Sequence, residues 1–187
     1  LNYSLGFWFF ARLTGLSYFF AFLSLSFQIS GLIGTDGILP AQTMLSEGWK
    51  ALGPGMPWML PSMAWIFGAS NSSLGFLALA GLIASTLLAL GFLRPLSAAL
   101  AWLCWLSFVN IGQDFLSFQW DTLLLEAGFL AIFLEKPGLL SRHPAADTPP
   151  ALLRWAVWFL VFRLMLSSGL VKLFSGDPAW SDLSAMS

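Results

Sequence analysis

The sequence predicts an all-α fold: a polytopic membrane bundle of about five transmembrane helices, with an interfacial first outer loop. Three observations predict it. Of 187 residues, 58% are hydrophobic and only 9% charged, against about 25% charged in ordinary soluble domains. Mean hydropathy is +0.80, and 8 basic plus 9 acidic side chains cannot wet the surface of so long a folded chain, so lipid is the solvent. The apolar residues come in unbroken runs, without the alternation with polar residues that marks a β-barrel.

Crossing the hydrocarbon takes about 20 largely apolar residues. Five stretches of a single transmembrane domain qualify: Leu5–Phe27, Leu74–Leu93, Pro95–Ile111, Phe118–Leu134 and Ala151–Phe174. The first is too long and too aromatic for a cleavable signal, and no small-residue cleavage pattern follows it. The loop after it, residues 28–73, holds Trp49, Trp58, Trp65, Ile66 and Phe67 between Pro54, Pro57 and Pro61. Amphipathic aromatics favour the headgroup layer, so the loop reads as an interfacial or partly re-entrant cap. The second span carries no charge, and its Gly81, Ser85 and Ala89 form a small-residue stripe suited to close helix packing. Arg94-Pro95 breaks the apolar run before the third span and makes these two tight antiparallel neighbours. Trp102, Trp105, Trp120, Trp155 and Trp158 lie near predicted span ends, as an interfacial belt would.

Basic residues orient the bundle. Arg94 lies between spans two and three, and Lys136, Arg142 and Arg154 surround the link between four and five. Lys50, Lys172 and the acids Asp36, Asp114, Asp177 and Asp182 fall on the other side. The positive-inside rule then puts the N-terminus in the cytoplasm and the C-terminus outside. That side is the periplasm for a bacterium or the endoplasmic reticulum lumen for a eukaryote.

The composition excludes several functions. A net charge of −1 offers no clustered cations for nucleic acid. The single Cys104 cannot close an internal disulfide and reads as a packing residue. The sole His143 has no second imidazole with which to hold zinc or haem. No catalytic, metal or cofactor residue is assigned. A start at Leu1 and an end at Ser187 in polar sequence point to a trimmed chain.

The costly residues are the intramembrane ions Arg12, Asp121, Glu126, Arg163 and Lys172, each penalised by about 2.5–3.5 kcal/mol in hydrocarbon unless it faces the bundle and finds partners. At about 1.5 Å per residue, Glu126 and Arg163 share the middle depth of their spans, while Arg12 lies roughly 6 Å inward. Glu126 is expected to pair with Arg163, with Arg12 as rival, and Asp121 to face Lys172 or the outer loop. An ion-pair network fixing helix register and a proton relay are both compatible with that set.

Two stretches carry a further resemblance: Gln119-Trp120-Asp121-Thr122-Leu123-Leu124-Leu125-Glu126, and Arg163 with Ser168-Gly169-Leu170-Val171-Lys172-Leu173 and the outer motif Ser175-Gly176-Asp177-Pro178-Ala179-Trp180-Ser181-Asp182-Leu183. With Gly34-Thr35-Asp36-Gly37-Ile38-Leu39-Pro40, they resemble the membrane domain of the lipase maturation factor family over essentially the whole chain. The resemblance implies five spans, a cytoplasmic N-terminus, and a non-enzymatic folding factor of the endoplasmic reticulum that helps secreted homodimeric lipases become active. It also implies a β-rich outer domain associated with client handling, which this chain lacks. Partners are then the bilayer and exported clients such as lipases. The alternatives are a membrane enzyme, from a more distant resemblance to vitamin K-dependent carboxylase-like proteins, and an ion or proton pathway.

Overall fold

The computed structural model describes residues 4–134, 138–140, 149–181 and 184. Its helices are α1 (Ser4–Leu32), α2 (Ala41–Leu52), α3 (Met56–Met59), α4 (Ala64–Phe67), α5 (Asn71–Leu90), α6 (Arg94–Ile111), α7 (Gln119–Leu134), α8 (Ala151–Phe174) and α9 (Pro178–Ser181). Among the described residues the only β pairing is an isolated bridge between Phe92 and Leu140. The chain forms two compact units, Leu1–Pro149 and Pro150–Ser187.

In the first unit α1 packs against α5 and α7, and α6 packs against the same two, closing a ring of four helices. Successive members run antiparallel. Trp102 of α6 bonds to Leu125 of α7, whereas Trp105, further along α6, bonds to the earlier Asp121. The ring closes on four aromatic side chains. Phe22 meets Trp105 edge-on at 5.3 Å and Phe108 at 6.3 Å, and Tyr18 meets Trp105 at 6.3 Å. Each such pair contributes about 0.5–1.5 kcal/mol beyond its burial.

The α1–α5 contact is the most extensive in the bundle, and both helices present small residues there. A Cβ on Gly15 would lie 2.7 Å from the Ala89 backbone nitrogen, and one on Gly81 would strike the Phe22 ring. The small-residue stripe expected on the second span is this face, with Ser85 fully buried in it. Helix α5 starts at a Ser70 cap that accepts from the Ser73 amide at 3.2 Å and ends at Gly91 in the left-handed region.

Four helices, α1, α5, α6 and α8, are long and apolar enough to cross a membrane among the described residues. The fourth expected span is α7, whose 16 residues extend about 24 Å against a hydrocarbon thickness of about 30 Å. By contrast the 29 residues of α1 extend about 43 Å and project past that layer.

The predicted cap folds as α2, α3 and α4 and covers the end of the bundle where α1 and α6 finish. It buries Ala41, Leu45, Met56, Ala64 and Ala69. Polar ties hold it there: the Met63 amide donates to Ser107 Oγ at 2.9 Å, and Asn110 donates to the Pro61 carbonyl at 2.7 Å.

Gly75 and Gly81 lie on the same helix, but only Gly81 faces a neighbour. Gly81→Ala should destabilise the bundle by about 1–3 kcal/mol through overpacking, whereas Gly75→Ala should be neutral or stabilising by up to about 1 kcal/mol. Thermal unfolding of both variants in the same mild detergent checks the difference.

Candidate functional site

The residues available for chemistry are the buried ionic groups of the bundle, the polar ties of the cap and the turn after α8. Arg12, only 8% exposed, donates from Nη1 to the Leu88 carbonyl at 2.9 Å. That carbonyl lies in the last turn of α5, at the negative end of the helix dipole, and also accepts from the Gly91 amide at 3.1 Å. The guanidinium also lies 5.4 Å from the centroid of the Trp8 ring. A cation inside the bundle is thus held by a helix terminus and an aromatic face.

Asp121, 5% exposed, sits in the first turn of α7, and its Oδ2 accepts from the Phe118 amide at 3.2 Å. This is the reach-back half of a capping box, made by Asp at the third helical position. A carboxylate there also meets the positive end of the helix dipole. Glu126 lies on the same helix, half-buried.

Helix α7 receives three further hydrogen bonds on its backbone. Tyr18 donates to the Leu124 carbonyl at 2.9 Å, Trp102 to Leu125 at 2.9 Å and Trp105 to Asp121 at 3.4 Å. Trp105 is 3% exposed. Trp102 and Trp105 therefore act as interhelical bolts inside the ring, which differs from the belt expected of them. Their indole N–H groups need acceptors once buried, and α7 carbonyls are the acceptors within reach. Trp120, Trp155 and Trp158 are exposed as a belt requires.

The Gly34–Pro40 segment terminates α1. The Ile38, Leu39 and Ala41 amides donate to the carbonyls of Gly31, Leu32 and Ile33 at 2.9–3.0 Å, satisfying groups that the helix end leaves open. Asn71 locks the same segment, accepting from the Thr35 amide at 2.9 Å and donating to the Thr35 hydroxyl at 3.0 Å. The Asn71 amide is thus occupied as a clasp between α1 and α5.

In the second unit, α8 carries Arg163 and Lys172, and Lys172 Nζ lies 4.6 Å from the centroid of the Trp180 ring. Gly176 turns the chain at φ +71°. Asp177 Oδ1 then accepts from the Ala179 amide at 3.0 Å and caps α9, which begins at Pro178. Asp182 of the expected outer motif and His143 lie outside the described residues. Cys104 is fully buried in α6, and no group of three metal-binding side chains occurs among the described residues.

Apolar helices of spanning length, whose polar atoms are turned onto helix ends and neighbouring backbones, define a multi-pass α-helical membrane protein. Residues 6–187 match the profile of the lipase maturation factor transmembrane domain, and the chain belongs to that family. It is 42% identical to lipase maturation factor 2 of Rattus norvegicus, over 90% of this chain and 26% of that protein. It is 38% identical to lipase maturation factor 1 of Homo sapiens, over 90% of this chain and 31% of that protein. Lipase maturation factor 2 of Homo sapiens is 41% identical over 90% of this chain. The chain thus spans about a quarter to a third of the length of these relatives. No solved structure matches it.

Replacing Arg12 with Met should cost about 1.5–3 kcal/mol, the range for hydrogen bonds to charged groups. Asp121→Ala should cost about 0.5–2 kcal/mol as a lost cap, and Asp121→Asn, which keeps an acceptor for the Phe118 amide, should recover most of it. Unfolding midpoints of the three variants in detergent check this order.

Proposed function

We propose that this chain is the membrane part of a maturation factor that brings secreted lipase-type proteins to their active state without itself catalysing a reaction. The observation that carries this reading is membership of the lipase maturation factor family across residues 6–187, together with relatives named for that role. The protein lies in the endoplasmic reticulum membrane, or the inner membrane of a bacterium, with its N-terminus cytoplasmic and its C-terminus outside. The gathering of Arg94, Lys136, Arg142 and Arg154 on one side supports that orientation. In this arrangement α7 is a fifth span, and the α2–α4 cap faces the compartment in which exported proteins fold. Trp58 and Ile66 of that cap are 89% and 79% exposed, which favours it as the surface that meets apolar segments of a client.

The intramembrane ions are structural in this reading. Arg12 at the end of α5 and Asp121 at the start of α7 both bond to backbone groups, which supports a role in fixing the helices. Matched depth pairs Glu126 with Arg163, Arg12 being the rival partner, and puts Lys172 among the same supporting ions. Gly176, Asp177, Pro178, Trp180 and Asp182 form the outer turn that follows.

Expression of the full-length protein in cells lacking lipase maturation factor 1 tests the function. Secreted lipase activity should return with unchanged lipase mRNA; secretion of inactive lipase despite correctly inserted protein would contradict the reading. For the ions, a double-mutant cycle of Glu126→Gln and Arg163→Gln should give a stability coupling of about 0.5–3 kcal/mol, with the folded fraction of each variant still supporting lipase activation. Additive losses would dismiss the pair.

A further inference from the structure

The turn after α8 holds two opposite charges on one cavity without joining them. A space of about 400 Å³ is lined by Gly169, Lys172, Leu173, Gly176, Asp177 and Trp180, all of the second unit. The Lys172 ammonium lies 4.6 Å from the centroid of the Trp180 ring, whose quadrupole attracts a cation without supplying a lone pair. Its hydrogens meet no acceptor among the described residues. Asp177 uses only Oδ1, on the Ala179 amide. Its Oδ2 accepts no hydrogen bond and makes no ion pair with Lys172 among the described residues. The backbone keeps the two apart: Gly176 turns the chain between them at φ +71°, and the cap holds Asp177 at the start of α9. Charges of both signs that line one space and do not neutralise each other are complementary to a ligand that carries both.

Depth narrows the ligand. Helix α8 is long and apolar enough to cross a membrane. Its 24 residues extend about 36 Å against a hydrocarbon thickness of about 30 Å. Lys172, in its last turn, therefore stands at the edge of the hydrocarbon, where the lipid phosphates begin. Gly169 lies about 4.5 Å deeper on the same helix, and a Cβ there would meet nothing within 4 Å. The cavity thus continues from the charges toward the apolar layer, with Leu173 as an apolar wall.

We propose that this cavity binds the headgroup of a zwitterionic phospholipid with a primary amine, of the phosphatidylethanolamine type. The phosphate meets the Lys172 ammonium, the lipid ammonium meets Asp177 Oδ2, and the glycerol passes over Gly169. Charge and hydrogen bonding select this headgroup. An anionic lipid would satisfy Lys172 and bring like charge to Asp177. A choline headgroup has no N–H to donate to Oδ2, whereas a primary ammonium has three. A soluble zwitterion would leave the Gly169–Leu173 end empty. The inference does not rest on the client reading.

Native mass spectrometry of the full-length protein, released from nanodiscs holding equal amounts of phosphatidylethanolamine, phosphatidylcholine and phosphatidylglycerol, tests it. The wild type should retain the ethanolamine lipid several-fold over the other two. Lys172→Gln should lose that retention, and Lys172→Arg should keep it. Asp177→Asn, whose carboxamide oxygen can still cap the Ala179 amide, should shift the preference toward phosphatidylglycerol, which mere loosening of the turn would not do. Gly169→Leu, which fills the cavity from a position with room for a side chain, should lower retention several-fold at unchanged helix content. Equal retention of the three lipids by the wild type, or an unchanged preference in Asp177→Asn, would overturn the proposal. Displacement of the lipid by free phosphoethanolamine would overturn it too, by making a soluble headgroup the ligand. So would a wild type that retains no lipid, since protein would then cover the turn.

Discussion

Inside a bilayer no water is available to a backbone amide or carbonyl, so each must find its partner within the protein. The first unit is organised by that constraint, and most visibly at helix ends. The carbonyls that close α1 are taken by amides of the Gly34–Pro40 segment. Arg12 supplies a cation to the end of α5, and Asp121 an anion to the start of α7. The large aromatic donors of the ring, Tyr18, Trp102 and Trp105, spend their hydrogens on the backbone of one helix. That helix is α7, the shortest member of the ring and the one with most to gain from lateral ties.

The same constraint explains how so few charges can coexist with a membrane fold. A guanidinium in hydrocarbon is tolerable when a helix dipole and an aromatic face share its field. Once Arg12 is used in this way, the α1–α5 contact acquires a polar end point beside the Gly15–Ala89 approach. Close packing and electrostatics then fix the same register. The cap repeats the pattern outside the ring, with Ser107 and Asn110 of α6 answering backbone groups of residues 61–63.

Much of this was legible in the sequence, and the exceptions have physical causes. Runs of apolar residues located the ring helices and α8 to within a few residues, because lipid imposes a length. Gly81, Ser85 and Ala89 disclosed a packing face, since small residues at that interval have few other uses. The contact of Arg12 with α5 was not legible, because Nη1 donates to a carbonyl of Leu88 that any residue would supply. Asp121 was found as a costly ion, and its place three residues after Phe118 could have disclosed the cap. Trp105 reads as a belt residue by depth, although it shares the face of Ala98, Ala101 and Phe108, which are all buried. The Thr35–Asn71 clasp spans 36 residues and leaves no local signal.

If polar satisfaction within lipid is what holds the ring together, α7 must be as protected as its longer neighbours despite its length. Hydrogen–deuterium exchange of the protein in lipid nanodiscs measures this directly. Amides of residues 119–134 should exchange as slowly as those of α5 and α6, and far more slowly than those of the cap, residues 41–67. Exchange of residues 119–134 at the rate of the cap would mean that α7 is not secured inside the membrane, and the ring described here would not be the folded core.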